Sequence, residues 1–136
     1  MKIYLFLLVF VFSFGVGQDF FSQQVYLINH LIEKNGRFVR PFTNEPVYGD
    51  LYRYFIMHNN KKSDKVFIGI ITKTGKQGYW TRFWDNGQKK EEGYYINSMK
   101  DNLWIEWDAD GSKFAEIFYK NGKVIHLTNC ILSNCD

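Results

Sequence analysis

The feature that most constrains this sequence is a repeat. Moving it by 24 residues lays "GYWTRFWDNGQKKEEGYYIN", residues 78–97, onto "NLWIEWDADGSKFAEIFYKN", residues 102–121. Trp80 then falls on Trp104, Phe83 on Trp107, Gly87 on Gly111, Lys89 on Lys113, Glu92 on Glu116 and Tyr95 on Tyr119. A fixed period of this length means that each copy is one supersecondary unit, burying itself against its neighbours in a stacked array. A weaker copy lies upstream in "GDLYRYFIMHNNKKSDKVFIGII", where Gly49 matches Gly78 and Leu51 matches Trp80 at an interval of 29. The five extra residues fall in the loop around His58, Asn59 and Asn60. Insertion there is tolerated, because closure entropy grows slowly with loop length.

Each copy reads as a β-hairpin. Asn86-Gly87 and Asp110-Gly111 predict two-residue turns with positive φ at both positions, flanked by aromatic and β-branched strands. "YWTRFW" and "LWIEWD" are the outgoing strands, "KEEGYY" and "FAEIFY" the returning ones. Gly49 and Gly78 open strands where the backbone bends or passes close to a neighbour. Asn102 replaces them in the last copy and also tolerates an unusual backbone angle. Gly49, Gly78, Gly87, Gly93 and Gly111 are thus the structural repeat positions. Before the array, Phe21, Val25, Ile28, Leu31 and Ile32 have helical spacing, which predicts a short helix over about residues 20 to 29. "LIEKNGRFVR" then reads as a hairpin on Asn35-Gly36, and Pro41 and Pro46 suit an extended connector.

The pattern Gly78-x-Trp80-x-x-Phe83-Trp84-x-Asn86-Gly87-x-Lys89, then Glu92-Gly93-x-Tyr95, recurs over residues 102–123. It resembles the bacterial variant of the MORN (membrane occupation and recognition nexus) repeat. The resemblance is strongest over residues 78–123, extends to 42–77, and leaves out the start of the chain and its cysteine tail. It implies a mainly β fold, an extended, curved, single-layer antiparallel sheet of consecutive hairpins. The organisation expected is a cap at 18–41, three repeats within 42–123 (49–77, 78–101 and 102–123) and a tail at 124–136. The resemblance also implies a scaffold or binding surface without catalytic residues. Some bacterial members carry an antitoxin-like label, which fits an exported chain poorly.

Export is the expectation from "MKIYLFLLVFVFSFGVGQ": Lys2, an apolar run from Ile3 to Phe12, then Gly15 and Gly17. That is the pattern of a signal peptide cleaved near Gly17; the run is shorter than the roughly 20 residues of a membrane span. In an exported chain the only two cysteines, Cys130 and Cys135, are expected to form a disulfide that clips the tail, in preference to supplying half of a metal site. Lys2 is the sole charge before residue 18, so the mature chain keeps 16 basic against 14 acidic residues. A balance so near neutral argues against a nucleic-acid partner, which needs a clustered basic face.

Catalysis finds little support. His30, His58 and His126 have no partner at metal-ligand or acid–base spacing. Glu91 and Glu92 point to opposite sides of a strand, and Asp110 belongs to a turn. No catalytic residue, metal ligand or cofactor is assigned. The rings are expected mostly to stack between copies, Trp80 over Trp104, Phe83 over Trp107 and Tyr95 over Tyr119. Tyr94, matched by Phe118 and Ile70, reads as core. Rings the stack leaves over mark a partner site, with Tyr79, Trp80, Trp84, Trp104 and Trp107 as candidates. Trp84 leads, because its counterpart is Asp108. The function expected is a protein-interaction or scaffold module of the cell envelope. The alternative is a carbohydrate- or choline-binding aromatic module, and a membrane-surface role comes third. An open sheet edge invites a homodimer.

Overall fold

The computed structural model describes residues 24–56, 61–131 and 135. The expected signal peptide and His58 lie outside the described residues. The chain is mainly β. Its main sheet has eight strands in the order β1 (Val25–Leu27), β4 (Gly49–Arg53), β5 (Val66–Thr72), β6 (Gly75–Phe83), β7 (Lys89–Ile96), β8 (Met99–Trp107), β9 (Lys113–Lys120) and β10 (Lys123–Asn129). From β4 onward every neighbour is antiparallel and consecutive in sequence, and β1 pairs with β4 in parallel. The sheet is open. A separate hairpin of β2 (Ile32–Lys34) and β3 (Arg37–Val39) turns on Asn35-Gly36, both with positive φ.

The expected helix does not form in its described part. Val25–Leu27 is a strand and Ile28–His30 a single 3₁₀ turn. The reason lies opposite, at Gly49: a Cβ there would stand 2.0 Å from the Gln24 carbonyl oxygen. The missing side chain lets the N-terminal segment lie against β4, where the Asp50 amide donates to Gln24 O at 2.8 Å. An extended segment gains sheet hydrogen bonds that an isolated short helix lacks.

The Asn86-Gly87 and Asp110-Gly111 turns are also not two-residue turns. Trp84 N–H donates to Gln88 O and Gly87 N–H to Trp84 O, closing a three-residue loop in which only Gly87 is left-handed. The equivalent bonds join Asp108, Ser112 and Gly111. Asn86 and Asp110 serve through their side chains, whose Oδ1 atoms accept from the amides of Gln88 and Ser112. This is the type I turn with a left-handed third residue, whose own bulge is at Gly87 and at Gly111; the returning strands carry a further bulge at Lys90 and at Phe114. Two-residue turns do occur at the other end of the sheet, at Asn97-Ser98 and Asn121-Gly122, each with positive φ at both residues. Gly78 and Asn102 share a left-handed conformation, φ 73° and 64°, as the repeat requires.

Candidate functional site

Directly paired residues share a face of a sheet. On one face, Trp80 pairs with Gly93, Gly78 with Tyr95, Trp104 with Ile117 and Asn102 with Tyr119. Each indole leans over the preceding strand. Trp80 lies on Gly69 and donates its Nε1–H to Ile70 O at 3.1 Å; Trp104 lies on Gly93 and donates to Tyr94 O at 3.1 Å. The rings do not stack like on like, as the sequence suggested. They alternate, Trp80–Tyr95–Trp104–Tyr119, edge to face at centroid separations of 5.9, 4.8 and 6.3 Å. Phe83 packs on Phe55. Lysines lie over the rings at the same spacing of 24: Lys76 over Trp80 at 5.3 Å and Lys100 over Trp104 at 4.0 Å. At the N-terminal end the β2–β3 hairpin lies over this face, with Phe38 stacked on Trp80 and Val39 and Val47 buried.

Trp80 and Trp104, candidates for ligand contact, are 2% and 0% exposed, and a buried ring offers no surface to a ligand. Trp84 and Trp107 are half-buried. Trp84 Nε1–H donates to Trp107 O at 3.0 Å, and both rings line a notch of about 270 Å³ with Phe114, Lys90, Glu91, Glu106 and Asp108. Lys90 Nζ sits 4.1 Å from the Trp84 centroid.

The opposite face carries Tyr79 paired with Tyr94, and Leu103 with Phe118 and His126. Tyr94 is half-exposed and Phe118 borders on exposed, so the expectation that they are core is corrected. The physical reason is alternation: Tyr95 points into the ring face, and its neighbour Tyr94 must point away. Tyr79, Tyr94, Leu103 and Ile105 share a shallow depression of about 290 Å³ with Glu92. Partial burial of the Tyr79 hydroxyl, then its hydrogen bond to Glu92, hold its pKa above the usual phenol value. Lys89–Glu92 and Lys113–Glu116 repeat as ion pairs at 2.7 and 3.1 Å.

Sequence reasoning missed the role of Glu91, the one buried charged side chain among the described residues. Burial acts to raise its pKa. Lys100 at 2.7 Å and Arg82 at 2.9 Å outweigh that and hold the carboxyl below its ordinary 4.5. Burial, then the nearby Glu91 charge, pushes the Tyr95 hydroxyl up to about 12. In acid the unfolded chain therefore binds the Glu91 proton before the native chain does. The stabilisation is complete above pH 4.5 and is lost as pH falls through the lower native value. Urea midpoints at pH 7 and pH 3 should fall further for the unmodified chain than for Glu91→Gln. Equal falls would remove Glu91 from the acid response.

The tail is partly strand, since β10 takes residues 123–129. The expected disulfide is present, Cys130–Cys135 with Cα atoms 5.3 Å apart, and is consistent with an oxidising, exported location. No described helix is long and apolar enough to cross a membrane. His30 and His126 lie at opposite ends of the sheet, beside β1 and on β10 respectively. Among the described residues no three His, Cys, Asp or Glu side chains converge as a metal site. Comparisons with protein families, curated proteins and solved structures found no match.

Proposed function

We propose that this chain is a non-enzymatic, exported protein-interaction module built from MORN-type hairpin units, and that the face bearing Tyr79, Tyr94 and Phe118 is its docking surface. The observation that carries this reading is the repeat-spaced series Ile70, Tyr94 and Phe118 on one face. The opposite face closes its own rings, whereas Tyr79, Tyr94 and Phe118 remain accessible. Amphipathic aromatics of this kind supply large contact area at low entropic cost and are enriched at interfaces. A second reading, a glycan or choline binder, is favoured by the notch of Trp84 and Trp107 beside Glu106 and Asp108.

The test is a crosslinked pull-down of the full chain against solubilised cell envelope, analysed for proteins and glycans. Recovery of one defined protein, reduced about tenfold by Tyr94→Asp and unchanged by Trp84→Ala, is the expected result; tenfold corresponds to about 1.4 kcal/mol. Recovery of polysaccharide, lost with Trp84→Ala and indifferent to Tyr94→Asp, would replace the docking surface by the notch.

A further inference from the structure

The two ends of the repeat array are finished differently. At the N-terminal end the β2–β3 hairpin and residues up to Val47 lie over the first strands, and Phe38, Val39 and Val47 are buried. At the other end the sheet stops at β10, which presents Val124 at 54%, Ile125 at 66% and Leu127 at 55% exposure. Terminal units of repeat arrays need a polar outer surface to stay soluble. Natural edge strands are shortened or given charges or proline against pairing. β1 follows that rule with three residues. β10 has seven residues, no proline and a single charge, Lys123. Its one protective feature is the bulge between Val124 and His126. The disulfide-closed tail folds back onto β9, where Cys130 N–H donates to Phe114 O and Lys113 Nζ to Cys135 O.

We propose that β10 is a homodimer interface, pairing antiparallel with β10 of a second copy to make one continuous sixteen-stranded sheet. Between two copies the charge pattern favours the antiparallel over the parallel arrangement, which would set Lys123 beside Lys123. Lys123 lies at one extreme of the strand, so any two-fold register that keeps most of β10 paired holds the two lysines apart and sets each beside an uncharged residue of the other copy. With the two-fold axis at His126, Ile125 pairs with Leu127 of the second copy and Val124 with Thr128, each pair occurring twice, as a two-fold interface demands. Pairing with β1 instead would be head to tail and open-ended, and β1 offers only three residues. A single strand pair is a small interface beside the roughly 1,200–2,000 Å² of stable complexes. The dimer should accordingly form in the micromolar range. This interface lies at the sheet edge, one strand beyond Phe118 of the proposed docking face.

Sedimentation velocity of the full chain from about 1 to 300 μM should show a monomer–dimer equilibrium, with Leu127→Lys and Ile125→Lys monomeric throughout and circular dichroism reporting that each variant is folded. Hydrogen exchange on the unmodified chain supplies a reading free of variants: β10 amides should gain protection with concentration while those of β7 do not change. A monomer at every concentration with β10 exchange unaltered would overturn the interface. Oligomers that keep growing with concentration would overturn its two-fold form.

Discussion

Replacing Trp104 with alanine should destabilise the fold by about 3–5 kcal/mol, the range for removing a buried large aromatic. Trp104 is fully buried at the centre of the ring ladder, between Tyr95 and Tyr119, with its Nε1–H satisfied by Tyr94 O. Its loss leaves a cavity over Gly93 and takes from Lys100 the ring it covers. Lys100 is one of the two cations that keep Glu91 charged in the interior, so the damage extends to the buried ion pair. For a domain of marginal stability this is a large fraction of the total. It should appear as a fall in melting temperature of roughly 15 °C or more. Trp84→Ala is the reference, because Trp84 is half-buried and has no indole counterpart in the next copy. Thermal unfolding followed by circular dichroism should rank Trp104→Ala far below Trp84→Ala. Equal losses would mean that the ladder does not carry the stability of the sheet.

The hairpins were legible because their pattern is local. Aromatic and polar residues alternate, and Asn-Gly or Asp-Gly interrupts them every 24 residues. The type of turn was not, because Asn-Gly serves equally as a two-residue turn or as the end of a three-residue loop. What separates the two is the bulge at Gly87 and Gly111, opposite Trp84 and Asp108, which depends on how the strands align as well as on the turn residues. The segment before Gly49 was ambiguous for a similar reason. Val25 and Ile28 fit helical spacing, yet the outcome was decided across the sheet by a glycine that admits Gln24. Among the rings, the mismatch of Trp84 with Asp108 sets it apart from Trp80, but spacing alone does not show that Trp80 and Trp104 are buried while Tyr94 is exposed. One signal could have corrected this: a glycine stands eleven residues before each buried indole, Gly69 before Trp80 and Gly93 before Trp104. Lys76 and Lys100, also 24 apart, were a second overlooked trace of the ring face.

That glycine makes the sharpest test of the packing, because two effects predict opposite signs. Glycine within a strand is unfavourable on propensity grounds, and replacing it by alanine at a compatible backbone angle normally stabilises by about 0.4–1 kcal/mol. Gly93 has no positive φ, so its backbone would accept alanine. The indole would not: a Cβ at Gly93 meets Trp104 Cδ2, Cε2 and Cγ at 2.5 to 2.6 Å, and that ring is fully enclosed and has nowhere to retreat. Gly93→Ala should therefore destabilise by about 3 kcal/mol, the upper end of ordinary overpacking. In a Trp104→Leu background, where the rigid ring is gone, the same substitution should be almost neutral. The double-mutant cycle should then return a coupling of at least about 2 kcal/mol between two residues on adjacent strands. Additive losses, or a gain from Gly93→Ala alone, would show that the indole does not rest on the glycine backbone, and the ladder would have to be redrawn.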